Sequence, residues 1–149
     1  NMNALGGYKP GVLPIALDVE GFSLAGGPST PSAVVTSFTN GFVSTATSQT
    51  GRPPIIYSNL SFLATYLKDP ALKNYPLWVA NLTSSSNPGA LTNGTCLVTV
   101  WTSTGCKLNW AFWQYTHTAP ANQYGIYSGA LDLNRLGLST NALLGLANY

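Results

Sequence analysis

Short apolar runs, each bounded by Gly, Pro, Asn or Ser, recur along this chain: Leu13 to Val19, Pro54 to Tyr57, Leu77 to Leu82, Leu97 to Trp101, Ala111 to Tyr115 and Ala130 to Leu133. Runs this short are strand-length rather than helix-length. Several are apolar at successive positions, as strands covered on both faces within a parallel sheet are. Parallel neighbours need a crossover connection, usually a helix. The first two intervals supply helical patterns, so the chain reads as βαβ units of an α/β fold.

The first crossover runs from about Pro31 to Thr47, with Ser29 or Thr30 as cap, Pro31 near its first turn, and Val34, Val35, Phe38 and Phe42 as its apolar face. The second opens at Ser58 or Asn59, carries Leu60, Leu63, Ala64 and Leu67 at helical spacing, and stops near Asp69-Pro70, where proline ends a helix. From Leu82 to Tyr149 the pattern changes to strands and Gly/Ser/Asn/Pro loops, with one short helix at Ala142 to Ala147. No repeat or linker divides the 149 residues, so 1–149 reads as one domain.

Charged residues make up only 7% of the chain, while Ser, Thr, Asn, Gly and Tyr are abundant, so the surface is polar without being ionic. Such a surface suits a secreted, extracellular protein that meets a neutral polymer. Six basic residues scattered from Lys9 to Arg135 make no patch for a phosphate backbone, which argues against nucleic acid as a partner. No run approaches the roughly 18 apolar residues of a membrane span. Asn1-Met2 resembles neither a translation start nor a signal-cleavage site, so the N-terminus reads as an internal cut. Cys96 and Cys106 lie in NGTCLVTVWTSTGCK, two short strands around a Ser-Thr-Gly turn, and a hairpin-clamping disulfide is the expectation. A disulfide fits an oxidising compartment.

The chain has four carboxylates, and two of them, Asp18 and Glu20, stand together in LPIALDVEG. On a strand these side chains share a face while Val19 points away. The C-terminal ends of strands are where active sites gather in α/β folds. Two acids crowded there repel, which favours one protonated and one ionised group. Glycosidic cleavage needs that pair: a proton for the leaving oxygen and a negative charge beside the oxocarbenium-like centre. Asp132 in ALDLNRL is a third candidate acid, with an ion pair to Arg135 as the competing reading; Asp69 beside Pro70 reads as a turn residue.

Aromatic and amide side chains crowd into NWAFWQYTHT. Sugar rings stack on such aromatics while amides bind their hydroxyls. Strand alternation puts Phe112 and Gln114 on one face, and Trp113 and Tyr115 on the other, so only one set faces a cleft. His117 lacks a nucleophile motif to partner it and reads as an exposed loop residue. No phosphate-cradling loop, zinc-binding His pair or calcium loop is present in the sequence, so neither a cofactor nor a metal is expected.

In order, LPIALDVEG, PIIYSN, YPLWVANL, WAFWQYT and GIYSGALDLNRL resemble the later strands of the glycoside hydrolase family 25 (Chalaropsis-type) lysozymes. The resemblance implies a TIM-like (β/α) barrel whose last strands have lost regular crossover helices. It implies an endo-acting muramidase that cleaves the β-1,4 bond between N-acetylmuramic acid and N-acetylglucosamine, with bacterial cell-wall peptidoglycan as its partner. Carried over, Glu20 is the general acid, Asp18 stabilises the developing positive charge or orients the substrate's acetamido group as nucleophile, and Asp132 is a supporting acid. Tyr57, Trp78, Trp113 and Tyr115 match aromatic strand-end residues that line the family's cleft, with Gln114 nearby, and these five are the expected substrate-binding residues.

A complete barrel takes roughly 200 residues or more, and the resemblance covers the fourth to eighth strands. The domain is therefore expected to be N-terminally incomplete, with a missing segment or a second copy completing the barrel. Two alternatives accompany the muramidase reading: a non-catalytic peptidoglycan- or chitin-binding protein, and a glycosidase acting on chitin-like polymers. Glycosylation acceptor patterns occur at Asn59, Asn81 and Asn93, of which the first two would obstruct the cleft if occupied.

Overall fold

The computed structural model describes residues 11–21, 32–83, 86–87, 91 and 95–147. Strands β1 (Ala16–Asp18), β2 (Ile55–Asn59), β3 (Leu77–Ala80), β6 (Phe112–Pro120) and β7 (Ala130–Leu136) form one sheet in the order β1-β2-β3-β6-β7. The first four run parallel, and β7 returns antiparallel to β6. Helices α1 (Ser32–Thr50) and α2 (Leu60–Tyr66) make the two crossovers. Strands β4 (Thr102–Ser103) and β5 (Lys107–Leu108) make a separate small hairpin, and α3 (Thr140–Ala147) closes the order. Among the described residues no helix is long and apolar enough to cross a membrane.

The sheet is open. β1 and β7 are its edges, and no closed barrel forms among the described residues, so the expected barrel is met only as a mixed α/β fold on a mainly parallel sheet. One face is packed: Leu17, Val19, Ile56, Leu77, Val79 and Trp113 meet Val35 and Val43 of α1 and Phe62 and Leu63 of α2 in one core. Register puts Asp18, Tyr57, Trp78 and Phe112 in a row on the opposite face.

Local chemistry sets the helix limits. The Asn59 side chain accepts from the Phe62 amide at 2.9 Å and caps α2. At the end of α1, Gly51 takes a positive φ of 68° and its N–H bonds the Thr47 carbonyl at 2.8 Å, a left-handed stop suited to glycine. The α1 face matches the expected one at Val35 and Phe42, which meet the core, and departs from it elsewhere. Val35, Thr39, Val43 and Ala46 are buried, whereas Val34 and Phe38 are 44% and 46% exposed. Thr39 sits inward because its hydroxyl donates to the Val35 carbonyl at 2.8 Å, which satisfies a polar group within the apolar face.

Leu97 to Trp101 is not a strand. A 3-10 turn covers Thr95–Leu97, and the small hairpin begins after Trp101. Thr95 donates from its hydroxyl to the Cys106 carbonyl at 2.7 Å, and Thr102 donates to the Thr95 carbonyl at 3.0 Å, so side chains supply bonds that a ladder would otherwise make. Val98 and Trp101 are nevertheless buried, which accounts for the apolar run. The disulfide Cys96–Cys106 is formed with a Cα–Cα separation of 4.6 Å. It joins the 3-10 turn to the turn of the β4–β5 hairpin rather than clamping two strands together. Strands β6 and β7 both run further than their apolar cores, and their pairing shifts register between Gln114 and Thr116 and again between Thr116 and Ala119.

Candidate active site

Alternation on β1 buries Leu17 and Val19 and leaves Asp18 and Glu20 exposed on the open face. The chain beyond β1 is held against β2 by three bonds. Val19 N–H donates to the Tyr57 carbonyl at 3.0 Å, the Ser58 hydroxyl to the Val19 carbonyl at 2.7 Å, and the Asn59 amide to the Glu20 carbonyl at 3.5 Å. Glu20 therefore leaves a backbone fixed by its neighbour strand, although it lies past the last residue of β1.

Across this face a cavity of about 340 Å³ is bounded by Asp18 and Glu20 from the β1 side, Tyr57, Trp78 and Gln114 from the middle strands, and Asp132 from β7. An adjoining space of about 430 Å³ shares Glu20, Tyr57, Gln114 and Asp132 and adds Asn59 and His117. Three of the chain's four carboxylates thus converge on one concavity. Asp132 and Arg135 do not form the ion pair weighed from sequence: three apart on a strand they take opposite faces, and the Arg135 guanidinium donates to the Ser86 carbonyl at 2.6 Å.

The Tyr57 phenol donates to Gln114 Oε1 at 2.5 Å. Burial first, and then the negative fields of Glu20, Asp18 and Asp132, push its pKa from 10.0 to about 12, so it remains a neutral donor through the physiological range. Gln114 is only 5% exposed, and with its oxygen engaged by the phenol it offers mainly N–H donors to a ligand. Trp78 meets Tyr57 edge-on at 5.1 Å between ring centroids, and its indole N–H donates to Asn134 Oδ1 at 2.8 Å. The cavity therefore combines acids, amide donors and an aromatic wall, a set able to protonate and to bind a hydroxyl-rich ring.

Two residues expected in the cleft lie elsewhere. Trp113 is 0% exposed, belongs to the core, and donates from its indole to the Asn81 carbonyl at 2.9 Å. Tyr115 packs beside it on the helix side at 5.9 Å between ring centroids. The other alternation class, Phe112 and Gln114, faces the cleft side. Conversely, Asn134 and His117 stand at or beside the site without having been selected from sequence. Asn134 carried a signal, being two residues from Asp132 on one strand. His117 did not, because the register shift after Gln114 breaks the alternation that would have placed it.

A cavity of about 470 Å³ lies at the opposite end of the parallel strands, where Pro53, Pro76 and Ala111 precede β2, β3 and β6. Trp101, Trp110, Leu138 and Leu146 give it an apolar lining without a carboxylate, so the acid chemistry belongs to the smaller cleft.

A profile of the family described as glycosyl hydrolases family 25 matches residues 2–124. Among solved structures, a muramidase from Acremonium alcalophilum is 27% identical with a TM-score of 0.64, over 96% of this chain and 61% of its own. The bacterial lysozyme from Streptomyces coelicolor is 25% identical with a TM-score of 0.63, over 96% of this chain and 60% of its own. A family GH25 lysozyme from Aspergillus fumigatus, 20% identical with a TM-score of 0.61 over 92% of this chain and 57% of its own, shares the fold. The chain thus spans about three fifths of the length of these structures. No curated protein sequence matches it.

Proposed function

The chain belongs to the family 25 glycosyl hydrolases, and from that premise we propose that it hydrolyses the β-1,4 bond between N-acetylmuramic acid and N-acetylglucosamine in bacterial peptidoglycan. The observation that carries this reading is the convergence of Asp18, Glu20 and Asp132 with Tyr57, Trp78 and Gln114 on one cavity. The names of the muramidase and the lysozyme to which the chain is similar support it.

In this reading Glu20 protonates the leaving glycosidic oxygen, a role suited to a side chain beyond the strand end and within reach of the cleft. Asp18 is the anion beside the anomeric carbon: it offsets the positive charge of the oxocarbenium-like centre or orients the acetamido group that attacks it. Asp132 adds negative potential from β7. Trp78 gives a sugar ring an apolar wall, and Gln114 donates to an oxygen of the substrate. Trp113 and Tyr115 contribute by supporting β6 from the core side.

Residues 1–149 act as a single catalytic domain. The β1 edge, unpaired among the described residues, and the greater length of the similar structures support a barrel closed by further strands, from another segment or a second copy. The disulfide is consistent with work outside the cell.

Digestion of purified peptidoglycan and of N-acetylglucosamine oligomers, followed by borohydride reduction and sugar analysis, tests the reading. New reducing ends on N-acetylmuramic acid are expected. Reducing ends on N-acetylglucosamine, or wall binding with no new ends, would reject the muramidase assignment in favour of a chitin-type glycosidase or a wall-binding protein.

A further inference from the structure

The floor of the cleft is tied together by two side-chain bonds, each of which passes over a strand. The Tyr57 phenol on β2 reaches past β3 to Gln114 on β6, and the Trp78 indole on β3 reaches past β6 to Asn134 on β7. Strands two apart are separated by about 10 Å, a gap that a long indole and a short amide bridge jointly and that a phenyl ring at position 78 would leave open.

The Trp78–Asn134 bond decides an orientation. The χ2 torsion of tryptophan is broad and roughly two-fold, so strand geometry alone leaves more than one direction for the ring. The indole has a single polar atom, and that atom only donates. Asn134 supplies the acceptor at 2.8 Å, while Tyr57 and Phe112 confine the ring from two sides at 5.1 and 5.9 Å between centroids. Asn134 shares its face of β7 with Asp132, so the same bond ties the strand carrying that acid to β3.

We infer that Asn134 is a positioning residue: it fixes the Trp78 indole in the orientation that lines the cleft and so sets the affinity of the sugar-stacking wall. The inference rests on the proposed function for its kinetic consequence, though its structural content is independent of that function. Asn134→Leu keeps the side-chain size and removes the acceptor on an exposed residue. The KM for soluble peptidoglycan fragments should rise about fivefold, the value of one hydrogen bond, with kcat changed less.

Trp78→Phe removes the donor, so adding Asn134→Leu to it should raise KM no further. A full additional increase would overturn the inference. The Trp78 indole N–H resonance provides a readout that needs no activity: its exchange with solvent should accelerate about fivefold in Asn134→Leu, and an unchanged rate overturns the inference. A wild-type chain that cleaves nothing while its indole exchange responds as expected would fail the functional reading and leave Asn134 as the residue that orients Trp78.

Discussion

Replacing Tyr57 by Phe removes one oxygen, leaves the ring, and deprives a buried acceptor of its partner. The phenol is the hydrogen-bond donor to Gln114 Oε1, and Gln114 is 5% exposed, so its carbonyl would be left without that donor where water has little access. A lost bond of this kind costs about 1–2 kcal/mol when the abandoned acceptor stays partly buried. Unfolding entropy near 2.1 cal/mol/K per residue amounts to about 0.3 kcal/mol/K for a chain of this length, so the melting temperature should fall by about 3–6 °C. The pH dependence has a definite sign. Because the folded phenol titrates near 12 rather than 10.0, its contribution is present below pH 10 and is lost as pH rises through that interval, when the unfolded chain ionises first. Wild type should therefore lose stability above pH 10 more steeply than Tyr57→Phe. Calorimetry from pH 7 to about 11 measures both effects, and equal melting curves for the two proteins at every pH would refute the reasoning.

Gly137→Ala should destabilise the fold by about 1–3 kcal/mol, because a Cβ there would lie 2.5 Å from two Trp110 ring carbons and 2.7 Å from the Trp110 carbonyl; denaturant titration measures it, and an unchanged midpoint would contradict the packing described. Removing the disulfide Cys96–Cys106 by Cys96→Ser with Cys106→Ser should cost about 2–3 kcal/mol, the entropy of a short closed loop; denaturant titration measures it, and an unchanged midpoint would contradict that contribution. The Asp69 carboxyl is held below its ordinary value by the Ala71 N–H first and the Asn40 amide second. Its stabilisation is thus present above the ordinary carboxylate pKa and lost as pH falls through the lower folded value. Asp69→Asn should flatten the acid limb of the stability curve, and an unaltered limb would reject the role of these two bonds.

Period and burial were legible where one face of an element was buried and the other was not. Asp18 and Glu20 could be put on one face from LPIALDVEG because Leu17 and Val19, which alternate with them, are core residues. The crossover helices could be located from their spacing. The α1 face was half legible: Val35 and Phe42 meet the core as expected, but Thr39 is inward with its hydroxyl bonded to the Val35 carbonyl, a solution that hydropathy does not register. Leu97 to Trp101 misled for a related reason: its apolar side chains are buried from irregular backbone whose bonds come from Thr95 and Thr102. On β6, sequence divided the side chains into two sets but could not say which set faced the helices. Trp113 fills the core because the concave side holds Gln114 against Tyr57. The Trp78–Asn134 bond joins residues 56 apart in sequence, and only the strand order brings them together.

The most direct test of the carboxylate assignment is the rate of reducing-end release from a bacterial wall suspension by wild type, Glu20→Gln and Asp18→Asn, with wall binding measured on the same samples. Loss of at least about a hundredfold in rate in both variants, with binding retained, is the result predicted. Release by Glu20→Gln at the wild-type rate would contradict the assignment of Glu20 as the proton donor.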